Sequence, residues 1–354
     1  MYDRRTFLTA LGGATAGIYL AGPALAQGRK QVVLGNRRIK TVDIHYHGTV
    51  PEVANVVRGT SLERNAAGAR GLTAERLVQM DARGIDVAVI SANQYWWYAA
   101  DRRLARDIVR TQDEGLAEFA ASYPERFVFL TSVALQFPDL AAEQLEYAVT
   151  RLGARGASVG GHVDGQEPSI ERFDPFWAKC QELDVPVFMH PGGAENVARE
   201  DGFEGRGDLG NIVGNPLETT MFLAHMIYDG TFDRFPRLKI VGAHGGGYFP
   251  SYLGRSEVAC DVRNNANCAN KLKPSEYLWR NIWVDSMVFS ENGLRHLVAE
   301  MGASQVVYGS DIPFNWPDTI DLIANSPSLS DAEKAAILGG NLVDMLRLSP
   351  DVTS

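Results

Sequence analysis

An α/β fold of the (β/α)8 TIM-barrel class is what this sequence predicts, and three observations predict it. Beyond residue 26, short apolar runs alternate with longer amphipathic ones; the short runs number eight; and histidines and an aspartate stand at the ends of several of them. Eight strands, each followed by a helix, is the arithmetic of a closed barrel, whose active face is the rim at the C-terminal ends of its strands. The 354 residues do not require two domains, because such barrels routinely run past about 250 residues as one unit.

The strand-like runs are Thr41–Tyr46, Ile85–Ala92, Phe127–Val133, Gly156–Gly160, Pro186–His190, Leu238–Ala243, Asn281–Asp285 and Gln305–Gly309. They are β-branched or aromatic and flanked by Gly, Pro, Asp or Ser, as strands buried on both faces are. Between them Thr73–Arg83, Asp101–Tyr123, Pro138–Leu152, Phe173–Leu183 and Pro216–Tyr228 carry a helical period. Asp174-Pro175 and Asn215-Pro216 read as helix starts, a capping residue followed by proline at the first position. A doubly wound open sheet is the competing fold, but no GxGxxG follows the first strand. Gly48–Arg70 and Gly192–Val213, long and rich in Gly and charge, follow strands one and five and are expected to line the mouth of the barrel.

Residues 1–26 stand apart from this rhythm. Asp3-Arg4-Arg5-Thr6-Phe7-Leu8 is a twin-arginine sequence, Ala10–Ala26 is uncharged and rich in Ala, Gly and Leu, and Ala24-Leu25-Ala26 supplies the small residues of a cleavage site. The expectation is a twin-arginine secretion signal cleaved before Gln27, a single domain over 27–354, a periplasmic destination and no membrane attachment after cleavage. The composition of the whole chain is ordinary for a globular protein, 45% hydrophobic and 22% charged. A net charge of −9 argues against a nucleic-acid partner and leaves a small-molecule enzyme. Cys180, Cys260 and Cys268 are too few for a disulfide framework. Cys260 and Cys268 could pair in an oxidising compartment, and the odd count leaves at least one free thiol.

The chemistry is carried by residues at the predicted strand ends. Val42-Asp43-Ile44-His45-Tyr46-His47 sets two imidazoles two residues apart on strand one, and the period of two points both to the same side. His190 ends strand five, and Asp311 follows strand eight in Tyr308-Gly309-Ser310-Asp311. His45, His47, His190 and Asp311 together offer three imidazoles and one carboxylate, a set that suits Zn²⁺ with one position open. Such an ion lowers the pKa of a bound water towards neutrality. His244, in Ala243-His244-Gly245-Gly246-Gly247, is the candidate general acid or base, with an additional ligand as its competing role. His162, in Gly160-Gly161-His162, ends strand four and is a candidate substrate contact. Tyr95-Trp96-Trp97-Tyr98 offers an aromatic wall of the pocket through Trp96 and Trp97, or a buried corner of the core. His225 reads as a packing position within a helix, and His296 as structural or solvated.

At these residues the chain resembles the decarboxylase branch of the amidohydrolase superfamily, the family of 2-amino-3-carboxymuconate-6-semialdehyde decarboxylase. The resemblance runs from about Thr41 to Arg347. It includes Ser122-Tyr123-Pro124-Glu125-Arg126-Phe127, Gly214-Asn215-Pro216-Leu217-Glu218-Thr219-Thr220, Phe235-Pro236-Arg237-Leu238-Lys239 and the stretch from Ala243 through Gly254-Arg255. It implies one Zn²⁺, or Mn²⁺ as in some members, on His45, His47, His190 and Asp311, with His244 as the catalytic histidine acting with Asp311. The implied reaction is non-oxidative loss of CO₂ from an aromatic or unsaturated carboxylic acid. The resemblance further implies a homodimer in which Arg255 reaches the neighbouring subunit's site and grips the substrate carboxylate. The loop after strand five departs from the family, with Phe203 its only aromatic between Gly192 and Val213, so a different substrate is expected. A metal-dependent hydrolase of lactones, esters, amides or C–C bonds, using the same ion, is the alternative activity.

Overall fold

The computed structural model describes residues 28–66, 71–92, 97–194, 197–199 and 201–351. The twin-arginine segment 1–26 lies outside them. A short antiparallel hairpin, β1 (Val33–Leu34) and β2 (Arg37–Arg38), precedes the barrel. Then come β3 (Val42–His47), β4 (Val87–Ser91), β5 (Phe127–Phe129), β6 (Thr131–Ser132), β7 (Ala157–Val159), β8 (Pro186–Met189), β9 (Lys239–Gly242), β10 (Ile282–Asp285) and β11 (Val306–Val307).

These nine pieces occupy the eight predicted strand positions, because β5 and β6 are one run broken at Leu130. Strands β3-β4-β5 form one parallel ladder and β6 to β11 another. The broken third strand joins them: Leu130 N–H donates to Ile90 O (2.9 Å) and Thr131 N–H to Gly156 O (3.1 Å). The other seam runs between β3 and the segment after β11. Ile44 N–H donates to Tyr308 O (3.1 Å), Asp311 N–H to His45 O (2.8 Å) and His47 N–H to Ile312 O (2.8 Å). All eight strand positions are therefore connected around a closed parallel barrel.

Val42, Ile44, Val87, Val89, Leu130, Phe188, Val241 and Val307 form a fully buried cluster, the barrel interior. Leu342, Val343, Met345 and Leu346 join that cluster. The adjoining Arg347 pairs with Asp184, just ahead of β8 (2.6 Å), so the C-terminal segment stoppers the bottom of the barrel and leaves the opposite rim for the site. The helices Arg102–Ser122, Pro138–Tyr147, Asp174–Leu183 and Asn215–Tyr228 pack outside. Asp101 caps the first of these by accepting from Leu104 N–H (2.9 Å). No helix among the described residues is long and apolar enough to cross a membrane.

Two helix starts differ from expectation. Asp174 and Asn215 are helical residues rather than caps, because a 3₁₀ turn (Glu171–Phe173) runs into the first helix and a π-helical turn (Gly210–Gly214) into the second. Freed from capping, Asp174 pairs with Arg234 (3.1 Å). Cys260 and Cys268 form a disulfide at the end of the helix Leu253–Val262, while Cys180 is a buried free thiol.

Candidate active site

Three of the four predicted ligands sit on β3 and at the end of β8, and the fourth follows β11, so the barrel brings together residues more than 250 positions apart (Asp311 against His47 is 264). The ligand atoms of His45, His47, His190 and Asp311 lie within 4.8 Å of one another, and all four residues are buried. A register shift between Asp43 and Tyr46 lets β3 place Ile44 in the interior cluster and Tyr46 in the outer one, with both histidines in the metal cluster.

The local hydrogen bonds orient these groups. His45 donates from Nδ1 to Asp285 Oδ2 (2.7 Å), which leaves Nε2 to face Asp311 Oδ1 at 3.1 Å. The same Asp311 oxygen is 2.7 Å from His47 Nε2. Asp43 braces the seam: its Oδ1 accepts from His45 N–H (3.0 Å) and Ser310 N–H (3.0 Å), and its Oδ2 from the Ser310 hydroxyl. Burial pushes the Asp43 carboxyl up to about 7, against the pull of Ser310 and His45.

The donor set fits a metal ion. The buried Nδ1 of His190 finds no hydrogen-bond partner among the described residues, a cost unless an ion or ligand meets the cluster. Burial, reinforced by neighbouring imidazoles, holds His190 well below its ordinary pKa and lowers His47 as well, which keeps both in the neutral form a metal requires. Burial alone would push the Asp311 carboxyl up. The imidazoles of His45, His244 and His47 outweigh it and keep the group ionised. Ligand atoms about 2.0–2.1 Å from an ion lie about 3–4 Å from each other, the scale of this cluster.

His244 stands beside this set, its ring centroid 5.1 Å from His45 and 5.5 Å from His190, and its Nε2 3.9 Å from Asp311 Oδ2. It is partly exposed where the ligands are buried. Its backbone is left-handed (φ 54°), as is that of Asp311 (φ 61°). Such conformations cost non-glycine residues about 1–3 kcal/mol and persist where the surroundings enforce them. Asp285 is one enforcer, since its Oδ2 accepts from His244 N–H (2.9 Å) and its Oδ1 from Gly245 N–H (2.8 Å). At Gly247, three residues on, a Cβ would fall 2.2 Å from Pro216 O, so glycine lets the turn approach the helix Asn215–Tyr228.

The remaining expectations divide. Trp97 is only 7% exposed and packs with the outer core. Trp96 lies outside the described residues. His162 takes a turn-closing role, its Nδ1 accepting from Gly165 N–H (3.1 Å), and the structure does not join it to the metal cluster. Arg255 is exposed and lines a cavity of about 440 Å³ with His225, Tyr228, Asp229 and Cys268, a lining that includes none of the four predicted ligands. His225 is bonded rather than merely packed, through Asp229 (2.9 Å), and His296 is solvent-facing.

Sequence reasoning missed Asp43, Asp285 and Phe314. Phe314 is 46% exposed and stands edge-on to His47 (5.3 Å, 85°), an aromatic contact beside the metal cluster. Its signal was position, three residues beyond Asp311; that of Asp285 was a carboxylate ending an otherwise apolar run.

Comparison with known proteins agrees with this geometry. The chain is 31% identical over 281 residues to a 2-amino-3-carboxymuconate-6-semialdehyde decarboxylase of Dictyostelium discoideum, covering 78% of this chain and 77% of the relative. It is 31% identical over 330 residues to a gamma-resorcylate decarboxylase of Rhodococcus jostii, covering 87% and 98%. Among solved structures it resembles a dihydroxybenzoic acid decarboxylase from Polaromonas, determined with bound manganese and the inhibitor 2-nitroresorcinol. That match has a TM-score of 0.75 and 26% identity, covering 88% of this chain and 97% of the other. The sequence pattern of the amidohydrolase family matches residues 42–348, and with the ligand-bearing barrel rim inside that span, the chain belongs to the amidohydrolase family, in the group that holds these decarboxylases.

Proposed function

We propose that the chain is a metal-dependent carboxy-lyase that removes CO₂ non-oxidatively from an aromatic or unsaturated carboxylic acid. The observation that carries this reading is the placement of a partly exposed His244, with Nε2 3.9 Å from Asp311 Oδ2, beside a buried set of three imidazoles and a carboxylate. When bound, the ion supplies a Lewis acid that orients the oxygens of the substrate. His244 transfers a proton from Nε2 to the carbon bearing the carboxylate; the C–C bond breaks, its electron pair goes to the new C–H bond, and CO₂ departs. Asp311, kept ionised by the imidazoles around it, places a negative charge 3.9 Å from His244 Nε2. Phe314 offers a ring edge against which a planar substrate can lie.

Zn²⁺ is the proposed ion, since three imidazoles and one carboxylate are its usual company; manganese in the Polaromonas relative keeps Mn²⁺ as the alternative. We further propose a homodimer in which Arg255 serves the neighbouring site. Support comes from the cavity it lines, which includes none of the metal-cluster residues, and from the exposed apolar residues on its helix and at its start, Tyr252, Val258 and Val262. A periplasmic address is supported by the twin-arginine sequence and by the Cys260–Cys268 disulfide. The hydrolase alternative is not favoured, because the relatives carry decarboxylase names.

The test is CO₂ release by the mature, metal-loaded protein across hydroxybenzoates and unsaturated acids. Release that a chelator abolishes and Zn²⁺ or Mn²⁺ restores is the expected result. No release across the panel, with metal bound, would transfer the reading to hydrolysis of lactones and esters.

A further inference from the structure

The segment Gly214-Asn215-Pro216-Leu217-Glu218-Thr219-Thr220 contributes no metal ligand, yet two of its side chains grip the loops that carry the site. Glu218 is 4% exposed. Its Oε1 accepts from Gly161 N–H (2.9 Å), its Oε2 from Gly193 N–H (2.7 Å), and Gly192 N–H lies within 3.2 Å of both oxygens. One carboxylate thus holds the turn after β7 and the first two residues beyond His190-Pro191. The fit is close at Gly161, where a Cβ would fall 2.5 Å from the Cγ of Glu218. Two residues on, Thr220 donates to Pro216 O (2.7 Å) and accepts from Tyr248 N–H (2.7 Å), just after the glycine turn that begins at His244.

Backbone N–H groups need partners when buried, and an ionised carboxylate is the strongest acceptor available to them. A loop gripped at its first residues cannot swing its preceding side chain, so the start of the helix Asn215–Tyr228 fixes the exits of two strands together. We propose that Glu218 and Thr220 are positioning residues with divided duties, Glu218 acting through His190 on metal retention and Thr220 acting through His244 on turnover. The inference rests on the metal-site reading above, and its decisive measurements need no substrate.

The test compares E218Q, G161A and T220V in the full-length mature protein. Glutamine keeps the shape of Glu218 but only one acceptor oxygen, and the methyl of G161A displaces the clamp from the other side. Both variants are expected to release Zn²⁺ to a chelator at least about tenfold faster than wild type, in the range found for groups that orient metal ligands. Hydrogen exchange of the Gly192 and Gly193 amides should quicken in both. T220V should release metal at the wild-type rate, exchange the Tyr248 amide faster, and show lower kcat at unchanged KM on whichever acid the panel identifies. Wild-type metal release in E218Q or G161A overturns the role of Glu218. Equal metal loss in T220V and E218Q, in step with a common fall in Tm, overturns the division of duties and reduces both residues to general stability. Failure of the carboxy-lyase reading leaves the release and exchange measurements standing.

Discussion

His45 and Asp285 are joined across 2.7 Å, Nδ1 to Oδ2, and the same carboxylate receives the backbone N–H groups of His244 and Gly245. One buried side chain on β10 therefore sets the ring orientation of a metal ligand and the backbone of the proposed catalytic histidine. Asp285→Asn retains the volume but replaces an anionic acceptor with a neutral amide. It is expected to weaken metal binding roughly 10–100-fold and to lower turnover of the metal-saturated enzyme as well. Metal titration followed by assay at saturating metal separates the two effects. Unchanged affinity would remove Asp285 from the account of the site.

The ligands and His244 should part company when each is removed. His190→Ala or Asp311→Ala deletes one of four donors, and each is expected to lose stoichiometric metal after dialysis along with activity. His244→Ala should keep its metal, because the buried set is complete without it, while kcat falls about 10²–10⁴-fold. Elemental analysis beside the CO₂ assay decides the matter. Full turnover in His244→Ala would reassign the proton transfer.

How much of this was legible in the sequence depends on what each residue bonds to. The eight strands were readable because strands buried on both faces are continuous apolar runs, and the ligands because imidazoles at the ends of such runs converge on one rim. The roles of Asp285 and Glu218 were not, since their partners lie far off in sequence, His45 being 240 residues from Asp285 and Gly161 57 from Glu218, and no local pattern marks such pairings. Trp97 was ambiguous for another reason: an aromatic cluster after a strand reads alike whether it faces ligand or core, and here the helix Arg102–Ser122 supplies Ala105 and Val109 beside it. Asp174 and Asn215 misled because a cap is defined by the chain before it, and in both cases that chain was already turning.

Arg255 makes a prediction that only a dimer can satisfy. Arg255→Ala and His244→Ala are each expected to be nearly inactive alone. Mixed under conditions that exchange subunits, they should regain about a quarter of wild-type activity, since half the dimers are mixed and each mixed dimer holds one intact site. No regain, with exchange verified by differently tagged chains, would place Arg255 outside the neighbouring site.

Asp113 offers a test of stability independent of function. It lies buried on the inner face of the helix Arg102–Ser122, where Thr131 Oγ1 donates to its Oδ2 at 2.7 Å. Burial pushes its carboxyl up to about 8, the Thr131 hydrogen bond pulling weakly the other way. A raised folded-state pKa means that the folded form holds a proton the unfolded chain releases near pH 4. The stabilisation from that proton is complete below the unfolded value and drains away as pH rises to about 8, by up to about 1.4 kcal/mol per unit. Asp113→Asn removes the titration while keeping the shape, so its Tm advantage over wild type should widen from pH 5 to pH 8.5. The same difference in Tm at both pH values would mean that Asp113 does not titrate across this window.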